Sequence, residues 1–342
     1  MHVEVTLAEA KELIIDCFRT RRVPMLYSHA GMGKSHTFKA IADEWNLQLL
    51  DERPSAYSPV DANGIPYPNT ERTKAKFIPM ENFPLEGDPI PEGKDGWLLF
   101  LDELPSANSS VIPTLYKLLH DRKVGNAKLH PKVIMAAAGN KLDSNAIVYE
   151  MGTAMQSRII HIFIKSSLKG FINHAIETDF DHRMIGFINY KPNLLNNFTP
   201  SHDDYTFACE RTWEYMSDFM KLWGKDIPTN KLPLFTGTIG QAAGRELYSF
   251  CKVYHKLVSM ETILANPEGA EIPTEPMSQW AIASSLAHRI SPESAENIMK
   301  YLKRMPLQFQ FMAMKIAARA EPTIVANPNI AAWISKVSRE HS

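Results

Sequence analysis

The chain has 342 residues, of which 44% are hydrophobic and 22% are charged. A chain of this length is too long to fold around a single hydrophobic core, so we expect one large domain with one or two smaller ones. The apolar content excludes a disordered chain, and a formal net charge of −1 gives no sign of a polybasic surface for nucleic acid or an anionic membrane.

The cysteines and the chain terminus indicate a reducing compartment. Cys17, Cys209 and Cys251 are far apart and form no CxxC pair, so we expect reduced thiols rather than a disulfide or a metal clip. The N-terminal residues lack the basic and then apolar pattern of a secretory signal, and no stretch approaches the roughly 18 apolar residues of a membrane span. We therefore expect a cytoplasmic protein with no membrane partner.

Strand and helix signals alternate over residues 1–165. Thr6 and Glu9 have the spacing of a capping box that opens a first helix. Apolar runs that predict strands occupy residues 23–27, 47–50, 97–101, 133–138 and 159–164. This alternation predicts an α/β fold with a mainly parallel, five-stranded sheet. Residues 53–96 are rich in Pro, Gly and Asn and weakly periodic, and we interpret them as a long functional loop region.

The strand signals stop after residue 165, and helical stripes replace them. One such stripe contains Trp213, Met216 and Met220. Around residues 266–276 the sequence has the Pro, Glu and Gly content of a linker, and the remainder is again helical. We predict three domains: an αβα domain at 1–165, a helical domain at 166–265 and a helical C-terminal extension at 266–342.

A glycine-rich loop lies between the first long strand and the next helix. Its Gly-x-Gly-Lys-Ser core, residues 31–35, has the pattern of a Walker A motif, in which backbone N–H groups and a helix N-terminus cradle phosphates. Lys34 would reach the β- and γ-phosphates of ATP, and the Ser35 hydroxyl would ligate Mg²⁺. The expected nucleotide-binding positions in the loop are Ala30, Gly31, Met32, Gly33, Lys34, Ser35 and His36. The pattern is incomplete, because Ser28 stands where the first glycine is expected.

A pair of acidic residues directly follows the unbroken apolar run at residues 97–101. Asp102 and Glu103 would lie at the carboxyl edge of the sheet, where ligands of open α/β folds bind. Asp102 would hold magnesium, and Glu103 would orient and deprotonate the attacking water. Two solvated acids at a strand end are the alternative. The presence of both motifs in this order favours ATP binding with Mg²⁺.

The two motifs are part of a resemblance between this chain and a known family of ATPases. The chain resembles the MoxR branch of the AAA+ ATPases, including members encoded by phages, closely over about the first 165 residues and more loosely to about residue 265. The segments that carry the resemblance are 24–35, 95–104, 118–125 and 136–140. It implies a P-loop AAA+ αβα sandwich followed by an all-α lid, with ATP and Mg²⁺ as cofactors.

The resemblance also implies roles for residues outside the two motifs. Asn140 matches sensor 1, an amide that positions water near the γ-phosphate, although a plain Gly-Asn turn has the same sequence. Arg158 matches the arginine finger that acts on a neighbouring subunit's nucleotide. Arg211 matches sensor 2, a lid contact to the nucleotide, and Arg245 is the alternative for that role. The segment 61–66 would belong to an insertion on the working surface of a ring.

The implied function is that of a chaperone-like remodelling ATPase. It would form a homo-oligomeric ring, expected to be hexameric, that hydrolyses ATP at subunit interfaces and acts on a protein client. Many relatives work with a partner containing a von Willebrand factor A domain. A nucleic-acid motor or loader is one alternative, for which the only basic group is Arg72, Lys74 and Lys76. A nucleotide-binding scaffold with little hydrolysis is another, which Ser28 permits and the Asp102–Glu103 pair opposes.

Overall fold

The computed structural model describes residues 2–141, 151–198, 204–224, 226–253, 257–320 and 322–340. The chain divides into two compact units, with the division between Ser167 and Leu168. The stretches predicted as a lid, 166–265, and as a C-terminal extension, 266–342, both contribute to one hydrophobic core in the second unit. The division into three domains stays a prediction.

The first unit alternates strands and helices. Its elements are β1 (Glu4–Val5), α1 (Leu7–Arg19), β2 (Val23–Ser28), α2 (Lys34–Glu44), β3 (Leu47–Glu52), α3 (Pro59–Asn63), β4 (Ile65–Pro68), β5 (Ala75–Ile78), β6 (Gly96–Leu101), α4 (Ile112–Tyr116), β7 (Lys123–Val124), β8 (Ala127–Lys128), β9 (Val133–Asn140), α5 (Thr153–Gln156) and β10 (Ile159–Ile164). A π-helical turn at Lys117–Asp121 continues α4.

The capping box of α1 is confirmed, since the Thr6 N–H donates to Glu9 Oε2 at 2.7 Å and Thr6 Oγ1 accepts from the Glu9 N–H at 3.3 Å.

The main sheet has six strands in the order β1-β10-β2-β9-β6-β3, and every neighbouring pair is parallel. The predicted α/β fold class is confirmed, but the predicted count of five strands is one too low. The additional strand, β1, has only two residues and one of them is exposed. A segment this short cannot show the periodicity on which a sequence prediction depends.

Both faces of the sheet are buried, which explains the unbroken apolar runs in the sequence. On one face Leu26, Leu98 and Phe100 pack with residues of α1 and α2. On the other face Met25 and Leu99 pack with residues of α4, its π-helical continuation and α5. The sheet therefore forms the middle layer of an αβα sandwich, and its strand ends are held rigidly by packing on two sides.

The region interpreted as a long loop, residues 53–96, contains regular structure. It holds the short helix α3 and an antiparallel hairpin in which β4 pairs with β5. All eight residues of the two hairpin strands are exposed, so no alternation of apolar and polar residues marks them in the sequence. Within the segment 61–66, Gly64 ends α3 with a φ of +93°, and a Cβ there would lie 2.3 Å from the Ile78 carbonyl oxygen.

The described part of the second unit is helical. Its helices are α6 (Leu168–Glu177), α7 (His182–Tyr190), α8 (Glu210–Trp223), α9 (Leu232–Ile239), α10 (Gln241–Val253), α11 (Met260–Ala265), α12 (Pro276–His288), α13 (Ala295–Leu302), α14 (Leu307–Ala320) and α15 (Pro328–Glu340). The predicted stripe of α8 is confirmed, because Trp213, Met216 and Met220 are fully buried. The indole N–H of Trp213 donates to the Leu195 carbonyl at 2.9 Å. None of the helices in the described ranges has the length and apolarity to cross a membrane.

A buried ionic group lies at the start of α7. The guanidinium of Arg183 donates to Asp181 from Nε to Oδ1 at 2.9 Å and from Nη2 to Oδ2 at 2.6 Å, and the Arg183 backbone N–H donates to Oδ1 at 2.9 Å. Burial raises the pKa of Asp181, but the hydrogen bonds and charge of Arg183 outweigh it and leave that pKa below 3.8. Burial also lowers the pKa of His182, which lies between Asp181 and Arg183 in the chain, to about 4. The residue as a whole is half-buried. The ring stacks on His288 with 4.4 Å between centroids.

We expect the free energy of unfolding to fall by about 2–3 kcal/mol as the pH is lowered from 6.5 to 4. The pKa of His182 is lower in the folded protein than in the unfolded chain, so the unfolded chain binds one more proton in this window. The lowered pKa of Asp181 acts in the same direction at the acid end, because the unfolded carboxyl takes up a proton before the folded one. The charges of His288, Arg183 and Arg289 oppose protonation of His182 throughout.

Denaturant titration at several pH values, followed by tryptophan fluorescence, measures this slope. The second unit contains four of the six tryptophans. His182→Gln is the control, because it removes the titrating group and should flatten the pH dependence by the same amount. An unchanged slope in this variant would show that other groups cause it.

Candidate nucleotide-binding site

Three adjacent strands end at the same edge of the sheet and bring the predicted site residues together. Strand β2 ends at Ser28, which is paired in register with Asn140 at the end of β9. Asp102 directly follows β6, the next strand along, and its N–H donates to the Glu52 carbonyl at 2.8 Å. The carboxyl edge of a parallel sheet is where open α/β folds bind ligands.

The glycine-rich loop joins β2 to α2. Gly31 and Gly33 have φ values of +75° and +74°, in the left-handed region that glycine adopts without strain. Gly33 is the N-cap of α2 and has no side chain that could accept hydrogen bonds from the first N–H groups of the helix. The N-terminus of a helix attracts anions through these N–H groups and through its dipole. Met32 is buried, so it would meet phosphate only through its backbone, whereas His36 is exposed.

The ammonium group of Lys34 lies among oxygen atoms from both strand ends. Lys34 Nζ donates to Ser28 Oγ at 2.9 Å, to Asn140 Oδ1 at 3.2 Å and to the His29 carbonyl at 3.3 Å. Ser28 is fully buried and Lys34 is only 9% exposed. The predicted Walker A lysine and the predicted sensor 1 residue are therefore in direct contact.

The two predicted magnesium ligands are also in contact. Ser35 Oγ donates to Asp102 Oδ2 at 2.8 Å, and Asp102 Oδ1 accepts from the Glu103 N–H at 2.9 Å. A hydroxyl and a carboxylate beside a phosphate-binding loop are the oxygen donors that Mg²⁺ uses together with nucleotide phosphates. These residues fit the ion. Burial first, and the charge of Asp102 second, raise the pKa of the nearby Asp51.

Glu103 is held in an unusual backbone conformation. Its φ and ψ of 55° and 29° are left-handed, which is uncommon for a residue with a side chain and frequent at functional sites. Ser55 Oγ donates to Glu103 Oε2 at 3.0 Å and fixes the direction of the carboxylate. Sequence reasoning missed Ser55, which lies in the region interpreted as a loop and carries no motif.

Close packing positions Asn140. A Cβ on Gly139 would lie 2.3 Å from Cδ of Pro105, in the turn that follows Glu103. Only glycine permits this approach, which brings the end of β9 against the turn that carries the acidic pair. The Gly-Asn sequence thus has a packing requirement of its own, in addition to any catalytic role of the amide.

Arg158 lies between α5 and β10 and makes no described contact with Lys34 or Asp102. Its Nη1 donates to the Ala154 carbonyl, and its guanidinium lies over the Tyr116 ring, 5.9 Å from the centroid. Its Nε is buried and has no hydrogen-bond partner among the described residues. The arginine-finger role of Arg158 stays a prediction.

The two candidates for sensor 2 belong to the second unit. Arg211 lies in the first turn of α8 and is exposed, whereas Arg245 lies in α10 and donates to Gln241 Oε1 at 3.4 Å. The assignment of Arg211 to the sensor 2 role, with Arg245 as the alternative, stays a prediction.

No protein-family model and no curated protein matches the chain. Similar solved structures include that of NtrX from Brucella abortus, with a TM-score of 0.42 and 9% identity, covering 93% of this chain and 69% of that chain. Another is that of a presumed ATPase from Cytophaga hutchinsonii, with a TM-score of 0.36 and 11% identity, covering 91% of this chain and 88% of that chain. Likeness at this level says nothing about chemistry. The strand, loop and helix geometry of this chain itself defines its first unit as an α/β unit of the P-loop type.

Proposed function

We propose that the protein binds ATP with Mg²⁺ at this site and hydrolyses it as a AAA+ ATPase. One observation carries the proposal: residues far apart in sequence meet at one edge of the sheet in the combination that phosphoryl transfer requires. Lys34 contacts Asn140 across 106 positions, and Ser35 contacts Asp102 across 67 positions.

Each side chain has a role that its position supports. The loop and Lys34 bind the β- and γ-phosphates and balance their charge, while Asn140 orients water beside them. Glu103 accepts a proton from that water. Magnesium, held by Ser35 and Asp102, supplies charge neutralisation between the phosphates when bound.

The ring mechanism is part of the same proposal. In this mechanism the protein forms a homo-oligomeric ring, which is hexameric if the chain assembles as the resemblance to MoxR implies. Arg158 completes the site of the neighbouring subunit. Arg158 makes no described contact with Lys34 or Asp102 of its own chain, and in this proposal its guanidinium acts on the nucleotide of the adjacent subunit. Hydrolysis then changes the position of the helical unit and remodels a bound protein client, alone or with a partner containing a von Willebrand factor A domain.

The hairpin of β4 and β5 supports a protein client. Ile65, Tyr67, Phe77 and Ile78 are each between 42% and 60% exposed, and exposed apolar groups of this kind mark interaction surfaces. The same hairpin carries three cations, so a nucleic-acid motor is the alternative function. Salt-dependent binding of single-stranded DNA, lost when residues 72, 74 and 76 are changed to Ala, would favour that alternative.

Steady-state ATP hydrolysis, measured against protein concentration, tests the proposal. We expect specific activity to rise with concentration as rings form and to disappear when Mg²⁺ is chelated. Lys34→Ala should weaken ATP binding by about 100-fold or more, because it removes a buried charge partner of the phosphates. Lys39→Ala is the matched control, since Lys39 is an exposed lysine of the same helix.

Three outcomes would change the conclusion. If calorimetry detects no nucleotide binding to the wild type, the site assignment is wrong. If ATP binds without turnover, the protein is a scaffold. If activity is independent of concentration, hydrolysis does not require a ring.

A further inference from the structure

Ser28 departs from the Walker A pattern without any backbone strain. It is the last residue of β2 and pairs in register with Asn140, and it is not among the residues with positive φ. The backbone at this position therefore does not require the glycine of the usual pattern. What Ser28 adds to the loop is its hydroxyl group.

The hydroxyl of Ser28 is fully buried, and both of its hydrogen-bonding functions are used. Its Oγ donates to the His29 carbonyl at 2.7 Å and accepts from Lys34 Nζ at 2.9 Å. A buried hydroxyl without partners would be costly, so this arrangement fixes its proton on the His29 side and turns its lone pairs toward the ammonium.

The ammonium of Lys34 has three N–H donors, and its described acceptors include Ser28 Oγ, Asn140 Oδ1 and the His29 carbonyl. Ser28 Oγ provides the shortest of the three contacts, ahead of Asn140 Oδ1 and the His29 carbonyl. A glycine at position 28 could not provide it. The phosphate oxygens of a nucleotide would compete with this acceptor for the same N–H group.

We propose that Ser28 is a positioning residue that sets nucleotide affinity by holding the Lys34 ammonium at the end of β2. The proposal rests on the ATP-binding function proposed above. Phosphate binding must displace or share the Ser28 contact, so the hydroxyl weakens nucleotide affinity. The competition ends once the phosphates are bound. The ground state and the transition state of the bound complex are then affected alike, so Ser28 changes Kd and KM but leaves kcat unchanged.

Calorimetric titration of ADP and of a non-hydrolysable ATP analogue with Mg²⁺ tests the proposal. Ser28→Ala should lower Kd by about three- to tenfold, the net effect of one typical hydrogen bond, with kcat within about twofold of the wild type. Ser28→Gly, which also lacks the hydroxyl, should behave in the same way and serves if the alanine variant is unstable.

Ser284→Ala is the matched control, because Ser284 is another fully buried serine and lies in the second unit. It should leave Kd unchanged. Equal or weaker affinity in folded Ser28→Ala and Ser28→Gly, or a fall in kcat at constant Kd, would overturn the proposal. If the wild type binds no nucleotide, the proposed function itself fails. If it binds nucleotide and the Ser28 variants bind equally well, only the role of Ser28 fails.

Discussion

Replacing Glu103 by Gln is expected to reduce the kcat of ATP hydrolysis by about 10²–10⁴-fold while the Kd for ATP changes by less than about threefold. Glutamine has the shape of glutamate and can keep the hydrogen bond from Ser55, but it cannot accept a proton from water. The loss should therefore appear in turnover and not in binding. Single-turnover hydrolysis and calorimetric titration of the same preparation measure the two effects separately.

Glu52→Gln provides a control at the same edge of the sheet. Glu52 ends β3, next to the strand that precedes Glu103, and its carboxylate accepts a hydrogen bond from Tyr57 Oη. Glutamine can preserve this contact, so we expect activity within about threefold of the wild type. Similar losses of kcat in both variants would mean that the overall negative charge at this edge matters, and that Glu103 is not the base.

Replacing Arg158 by Ala is expected to reduce kcat on the order of 10³-fold if Arg158 stabilises the transition state in a neighbouring subunit. A mixture of the Arg158→Ala and Glu103→Gln proteins gives a more decisive test than either variant alone. A subunit with Arg158→Ala keeps its own Glu103, and a neighbour with Glu103→Gln keeps its Arg158. Where a Glu103→Gln subunit provides its Arg158 to the site of an Arg158→Ala subunit, the interface contains both groups, whereas the reverse interface contains neither. A mixture of two inactive variants should therefore regain part of the wild-type activity.

Two controls separate this effect from instability. Arg19→Ala removes an exposed arginine with only a 3.7 Å contact to Asp16 and should change neither activity nor complementation. The contact of Arg158 with the Tyr116 ring contributes about 0.5–1 kcal/mol and its hydrogen bond to the Ala154 carbonyl about 0.5–1.5 kcal/mol, so Arg158→Ala should lower the thermal midpoint by several degrees and remain folded. No activity above the sum of the two variants, at concentrations where rings form, would place Arg158 outside any shared site.

The sequence by itself determined those features that depend on neighbouring residues. The capping box of α1, the buried strand at residues 97–101 and the helical stripe of α8 are each predicted from short-range spacing and are present, the strand starting one residue earlier at Gly96. The Walker A loop was predicted in the same way, because a strand, two glycines, a lysine and a helix follow one another directly. These features are local, so periodicity and turn chemistry are sufficient to specify them.

Only the tertiary structure decided which residues meet. Strand β2 lies beside β9 and β10, and neither neighbour is adjacent to it in the chain. Parallel strands need crossover connections, so their order follows from packing of the whole unit and leaves no local pattern. The contacts of Lys34 with Ser28 and Asn140, and of Ser55 with Glu103, depend on that order. For the same reason the sequence marked Ser28 only as a missing glycine, and the tertiary structure showed it as a partner of the lysine.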